Sequence, residues 1–184
     1  MLNDIERVGE PRPPPAFPAA IASGGQTGAD RAALDFAIAH RILHVGFCPR
    51  GRKAEDGPIP ARYKLTETES ADYPERTRRN VELADATAIF ALVSAEALLR
   101  QRRSGSGLTV REAARAGRRF VVLYNFPNVD ADAGDLRAFL EEARPRVLNV
   151  AGSRESSQPG IAAHVAAVLA AAAGQMPAAS PRPS

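Results

Sequence analysis

Tryptophan is absent from this chain of 184 residues and aromatic residues make up only 5% of it, so its core must be built from aliphatic side chains. Cysteine is almost absent too. The single Cys48 can form no internal disulfide and no zinc site alone, which excludes the usual staples of small secreted domains and fits a reducing cytosol. An ordinary buried thiol is expected there. No apolar run approaches the roughly 20 residues that cross a bilayer, and Met1 to Glu10 is charged throughout rather than signal-like. A cytoplasmic protein without a membrane partner is therefore expected. The three histidines, His40, His44 and His164, are far apart and lack a helical partner, so no metal site is expected. No serine sits in a nucleophile elbow, and no Ser/His/Asp set assembles. Charge of one sign is not in excess either: 24 Lys and Arg face 21 Asp and Glu for a net +3. The basic residues lie in separate loops rather than on one element, which argues against a nucleic-acid partner. Arg100, Arg102 and Arg103 read as a solvated loop.

What is present is a globular composition, 45% hydrophobic against 24% charged. One domain of this size buries roughly two-thirds of its unfolded surface. Pro11, Pro13, Pro14, Pro15 and Pro18 can neither continue a helix nor fill a central strand, so residues 1–18 are assigned to a tail. Residues 174–184, rich in Pro, Ala and Ser, form a second tail, and 19–173 the domain. Within the domain, short runs of Val, Ile and Phe alternate with longer Ala, Leu and Arg stretches, the pattern of a parallel sheet with crossover helices. Strands are expected at Ala19 to Ser23, Leu43 to Cys48, Ala86 to Val93, Phe120 to Asn125 and Val147 to Ala151. Helices are expected at Ala29 to His40, Tyr73 to Ala84, Thr109 to Ala116, Asp132 to Ala143 and Gly160 to Ala172. Pro49 to Tyr63 reads as a long loop. The fold class is α/β, a single-domain Rossmann-like parallel sheet with helices on both faces.

The strongest chemical signal is Ser23-Gly24-Gly25-Gln26-Thr27-Gly28-Ala29-Asp30-Arg31, between an apolar strand and a helical pattern. Glycines there let backbone amides approach an anion, and the first helical turn adds partial positive charge. Thr27 adds a hydroxyl, and Asp30 sits as a carboxylate in the first helical turn. The same glycines would also serve a tight turn that packs helix on strand, and the spacing is not the dinucleotide GxGxxG. A second such segment, Ser104-Gly105-Ser106-Gly107-Leu108-Thr109-Val110-Arg111-Glu112, follows a later strand. It reads either as a ligand loop at the carboxyl edge of the sheet or as a flexible connection whose Thr109 caps the helix. The loop Cys48 to Pro58 brings the three cations Arg50, Arg52 and Lys53 and the two carboxylates Glu55 and Asp56 beside a strand end. Its arginines suit an anion, or the charges pair among themselves at little gain.

The runs SGGQTGADRAALDFA, GFCPRGRKAEDGPIPARY, ADYPERTRRNVELADATAIF, SGLT and LNVAGSRES together resemble the molybdenum carrier family. That family is a circularly permuted branch of the Rossmann-like superfamily that includes the Lonely Guy, or lysine-decarboxylase-like, phosphoribohydrolases. The resemblance spans about Ala19 to Leu169 and keeps motif order. It implies a binding or carrier protein for the molybdenum cofactor (molybdopterin) or a related phosphorylated small molecule. Further implied partners are molybdoenzymes or cofactor-biosynthesis proteins, and a homo-oligomeric state. Carried over residue by residue, the ligand-facing positions are Gly24, Gly25, Gln26, Thr27, Gly28 and Asp30; Arg50, Gly51 and Arg52; Arg76, Thr77 and Asn80; Gly105, Ser106, Gly107 and Thr109; and Gly152, Ser153 and Arg154. The sequence departs from the family in its third loop, where QRRSGSGLT stands in place of a shorter glycine-threonine run. The alternative is a nucleotide-processing hydrolase acting on nucleoside monophosphates, because Thr109-Val110-Arg111-Glu112 resembles the TxxE end of the phosphoribohydrolase motif and makes Glu112 its candidate catalytic residue. Under the carrier reading no catalytic residue is expected.

Overall fold

The computed structural model describes residues 17–101 and 103–174. Most of both tails assigned from the sequence, and Arg102, lie outside the described residues. Phe17 and Pro18, at the end of the first tail, rest on the domain: Pro18 is buried, and the Phe17 ring lies 5.9 Å from that of Phe36.

In chain order the elements are β1 (Ala20–Ala22), α1 (Ala29–Ala39), β2 (Leu43–Val45), β3 (Phe47–Cys48), a 3-10 turn (Arg50–Arg52), β4 (Lys53–Ala54), β5 (Gly57–Pro58), β6 (Thr66–Glu67), α2 (Tyr73–Leu83), β7 (Ala86–Phe90), α3 (Ala95–Arg100), α4 (Gly105–Arg115), β8 (Arg119–Leu123), α5 (Val129–Ala143), β9 (Val147–Gly152) and α6 (Ile161–Gly174). Five strands form one sheet in the order β2-β1-β9-β7-β8, and every pairing in it is parallel. A parallel sheet covered on both faces needs strands apolar throughout rather than alternating, and all five residues of β7, Ala-Thr-Ala-Ile-Phe, are buried.

On one face Ile21, Phe90, Leu148 and Val150 pack against Ala33, Phe36, Leu136, Val165 and Leu169 of α1, α5 and α6. On the other, Ile89 and Ala91 pack against Leu98 of α3 and Val110 of α4, with α2 packed on α4. The crossover from β1 runs outward to β2 and that from β7 runs the opposite way to β8, while β9 fills the place between them. This reversal is the position where open α/β sheets bind ligands. It gathers the segments after β1, β9 and β7 at one carboxyl edge.

Several boundaries differ from the sequence expectation: the strand expected over Ala86 to Val93 ends at Phe90, and Arg100 closes the short helix α3 rather than standing in a loop. The strand expected over Leu43 to Cys48 breaks at Gly46, whose φ is +138° and where a Cβ would come within 2.2 Å of the Ser23 carbonyl oxygen. Its second half, β3, leaves the sheet to pair with β6. The third-loop helix begins at Gly105 rather than Thr109, because Ser104 caps it by accepting from the Gly107 amide at 3.1 Å. Likewise α5 begins three residues early, with the Asn128 side chain accepting from the Ala131 amide. The stretch Pro49 to Tyr63 is not one structureless loop: it holds the 3-10 turn and the antiparallel β4–β5 hairpin. It also closes a small core of Leu34, Cys48, Ile59, Tyr63 and Leu65. Cys48 is fully buried there, and burial pushes its thiol up.

Candidate functional site

The first glycine segment turns out to hold a carboxylate of its own. Asp30, in the first turn of α1, is 3% exposed; it accepts from the Gln26 amide at 3.3 Å and pairs with the Arg76 guanidinium at 3.1 Å. Burial pushes the Asp30 carboxyl up, and Arg76 and the amides of Gln26 and Gly24 oppose that rise. The Thr27 amide is spent on the Gln26 side chain, and the Ala29 amide on the Ser153 carbonyl at 3.1 Å. The backbone donors that the sequence offers to an anion are thus largely taken inside the protein.

The glycines have packing reasons. Gly24 is overlain by Arg76, which would meet a Cβ at 2.2 Å, and Gly25 faces Leu65 and Ile59. Gly28, at φ +76°, lies so close to Ser153, Arg154 and Glu155 that a Cβ would sit 2.5 Å from the Ser153 carbonyl oxygen. Gly152 fits between Phe90 and Ala29. Both close approaches bring the segment after β9 against the segment after β1.

Cations converge above this junction. The ring of Tyr73, the first residue of α2, has Arg154 4.9 Å from its centroid, Lys53 at 5.5 Å and Arg76 at 5.8 Å. The three come from the β9–α6 segment, the β4–β5 hairpin and α2. Each cation gains from the ring face, and together they make a concentration of positive charge found in no single stretch of sequence. The Arg76 Nε is buried and without a hydrogen-bond partner. The Tyr73 hydroxyl accepts from Gln26 Nε2 at 3.5 Å, tying α2 to the first segment.

Other expected positions are committed elsewhere. Arg52 donates to four carbonyl oxygens, of Ile59 at 2.8 Å, Tyr63 at 2.9 Å, Pro60 at 3.0 Å and Leu65 at 3.4 Å, and so holds the 59–65 segment together. Asn80 grips the backbone of Phe47 from both sides, accepting at 2.8 Å and donating at 2.9 Å. Arg50 is exposed, and the Gly51 amide donates to Glu67 at 2.6 Å. Gly105, Ser106 and Gly107 are the first turn of α4, where Thr109 donates back to the Gly105 carbonyl at 3.1 Å; Gly107 is needed because a Cβ would lie 2.5 Å from the Leu98 carbonyl oxygen. Glu112 therefore stands in the body of a helix rather than at its start, paired with Arg115 at 2.8 Å and near Arg78 at 3.9 Å.

Four residues of the junction were not assigned to a site from the sequence: Lys53, Glu55, Tyr73 and Ser156. The charged Lys-Ala-Glu-Asp-Gly tip was visible, but which charges turn inward depends on the hairpin's placement. Tyr73, just before Pro74, read only as a helix start.

A separate groove of about 590 Å³ runs between α1 and α6, lined mainly by Ala32, Phe36, Ala39, Ala162, Ala166 and Ala170. Its one basic side chain besides His40 is Arg31, which is bound bidentately to Asp56, the Nη2 contact being 2.7 Å. It suits an anion less well than the Tyr73 junction. Among the described residues no three His, Cys, Asp or Glu side chains are placed to hold a metal ion. His164 instead meets Asp132 at 2.7 Å in the interior. No helix of the described residues is long and apolar enough to cross a membrane.

Comparison with known proteins agrees with this architecture. No curated protein matches the chain. A crystal structure of a protein from Syntrophus aciditrophicus SB, called a putative molybdenum carrier protein, is similar at 35% identity with a TM-score of 0.78, over 86% of this chain and 96% of that one. Residues 21–173 match the profile of the circularly permutated YpsA SLOG family, so the α/β domain built on β1 to α6 belongs to that family.

Proposed function

We propose that the protein binds and carries a phosphorylated small molecule, of the molybdenum cofactor class, at the junction of the segments after β1 and β9. The observation that carries this reading is the convergence of Lys53, Arg76 and Arg154 on Tyr73. A phosphate is favoured by several cations at once, and arginine adds planar bidentate donors. A flat heterocycle would find an aromatic face in Tyr73. The molybdenum of such a ligand is carried by its own dithiolene sulfurs, so the protein need supply only the grip on phosphate and ring. The printed name of the Syntrophus relative points the same way.

Native mass spectrometry of the protein purified anaerobically from a molybdenum-replete host tests the reading. A bound pterin-phosphate mass is expected in the parent and its loss in Lys53→Ala/Arg154→Ala. An adduct unaffected by both substitutions, or none in any preparation, would overturn it. The hydrolase alternative rests on Glu112, which two arginines hold within α4. Release of base from nucleoside monophosphates that disappears in Glu112→Gln would restore it.

A further inference from the structure

We propose that the β4–β5 hairpin is a displaceable latch whose Glu55 carboxylate occupies an anion subsite made by Thr27, Arg154 and Ser156, and that a phosphate group enters by displacing it. This rests on the anion-binding reading above and adds how the site is closed.

Glu55 is exposed, yet its carboxylate gathers donors from two segments as a bound anion does. The Thr27 hydroxyl donates to its Oε1. The Ser156 hydroxyl donates to Oε2 at 2.6 Å and the Ser156 amide approaches Oε1 at 3.5 Å. Arg154 Nη1 stands 3.8 Å from Oε2. Two hydroxyls, an amide and a guanidinium from both sides of the sheet's reversal point converge on one carboxylate, 101 residues away in sequence from Ser156. A phosphate oxygen cluster takes the same donors and offers more acceptor positions than a carboxylate does.

The hairpin that delivers Glu55 is lightly built. Its strands are two residues each, Lys53–Ala54 and Gly57–Pro58, and no residue from Lys53 to Pro58 is buried. Its other ties are mostly polar, the Glu55 amide to Gln26 Oε1 at 3.0 Å and Asp56 to Arg31, beside the Lys53 contact with the Tyr73 ring and the packing of Ala54 on the small core. Such a segment, whose one apolar anchor before Ile59 is the small, partly buried Ala54, opens at far less cost than the core.

Charge supplies the motive. Asp30 is matched by Arg76 inside the protein, so Glu55 is the carboxylate left facing Arg154. Lifting it away leaves Arg154 and the Thr27 and Ser156 donors free for the incoming anion, while Lys53 on the hairpin's first strand can still approach it. An empty site keeps its donors satisfied by Glu55, and a ligand must outcompete that carboxylate.

Titration with inorganic phosphate, followed calorimetrically, tests the latch. Glu55→Gln keeps the shape and removes the charge, and is expected to bind phosphate at least tenfold more tightly than the parent. Arg154→Ala is expected to weaken binding in both backgrounds. In the parent, saturating phosphate is expected to speed hydrogen exchange at the Glu55 and Asp56 amides, a measurement that needs no variant to fold. If the parent binds phosphate, Arg154→Ala weakens it, and Glu55→Gln neither tightens binding nor does phosphate release the hairpin, the latch is wrong and the anion site stands. If neither parent nor Glu55→Gln binds phosphate, the anion site itself falls and the latch with it.

Discussion

Two segments of this chain carry the same glycine-rich signature after a sheet strand and before a helix, yet they are different objects. In Ser23 to Asp30, Gly25 and Gly28 have φ near +77° and +76°, and the partners that hold the turn are remote: Arg76, Tyr73, Glu55 and Ser153. In Ser104 to Thr109 the glycines are helical, and the bonds that hold them are local, Ser104 to Gly107 and Thr109 to Gly105. Glycine permits either outcome. A nearby serine able to cap an early turn favours the helix, whereas a neighbouring strand loop pressed within van der Waals distance imposes the open turn.

Substitution of the glycines breaks this contrast most directly. Gly28→Val puts a branched side chain at positive φ and into the Ser153 backbone, so a loss of about 3 kcal/mol or more in urea unfolding is expected from strain and overpacking together. Gly105→Ala meets nothing within 4 Å and has no positive φ, and should be neutral or gain up to about 1 kcal/mol. Similar midpoints for the two variants would show that the turn is no more constrained than the helix.

Arginines sharpen the same distinction between groups committed to the fold and groups proposed to hold a ligand. Arg52→Ala leaves four carbonyl oxygens without their donor and is expected to cost about 2 kcal/mol. Arg154→Ala removes a side chain that is 40% exposed and should cost under about 0.5 kcal/mol while impairing ligand binding. Paired denaturation and binding curves check this; an Arg52→Ala protein of parental stability would return Arg52 to the site.

The smallest expected effect is on acid stability, read at the carboxylates around the first segment. Desolvation pushes the Glu55 carboxyl up, but the hydrogen bonds from Ser156 and Thr27, with Arg154, outweigh it and hold it below its ordinary 4.5. A lowered carboxylate stabilises the fold above that value, and the contribution fades as pH falls below about 4.5. Asp30, pushed up by burial from 3.8, has the opposite sign, its contribution growing as pH falls, while Asp56, held low by its hydrogen bond with Arg31, has the sign of Glu55, so the parent curve alone mixes all three. The difference between parent and Glu55→Gln stability, measured from pH 7 to pH 3, isolates Glu55 and should shrink towards acid. A constant difference would mean that Glu55 is not held as an anion.

Local spacing was enough to set the layers and the neighbourhood. Apolar runs of strand length alternating with Ala-rich helical periods have few ways to bury their faces other than a doubly covered parallel sheet, and the five sheet strands and five of the helices fall where those periods put them. It also marked the segment after the first strand, and the buried place of Cys48, because a lone thiol among apolar residues has no better partner than the core. Packing between distant segments set which charged groups are consumed by the fold and which are left beside the Tyr73 ring. Arg50, Arg52 and Lys53 lie within four residues, yet one is exposed, one is consumed by carbonyl oxygens and one reaches the Tyr73 ring. The α3 helix and the hairpin escaped for a related reason: α3 is six residues long and buries chiefly Leu98, too little for a period to show. Glu55, Tyr73 and Ser156 are brought together by the reversal of strand order between β1 and β7, and contacts spanning up to 101 residues leave no imprint on local spacing.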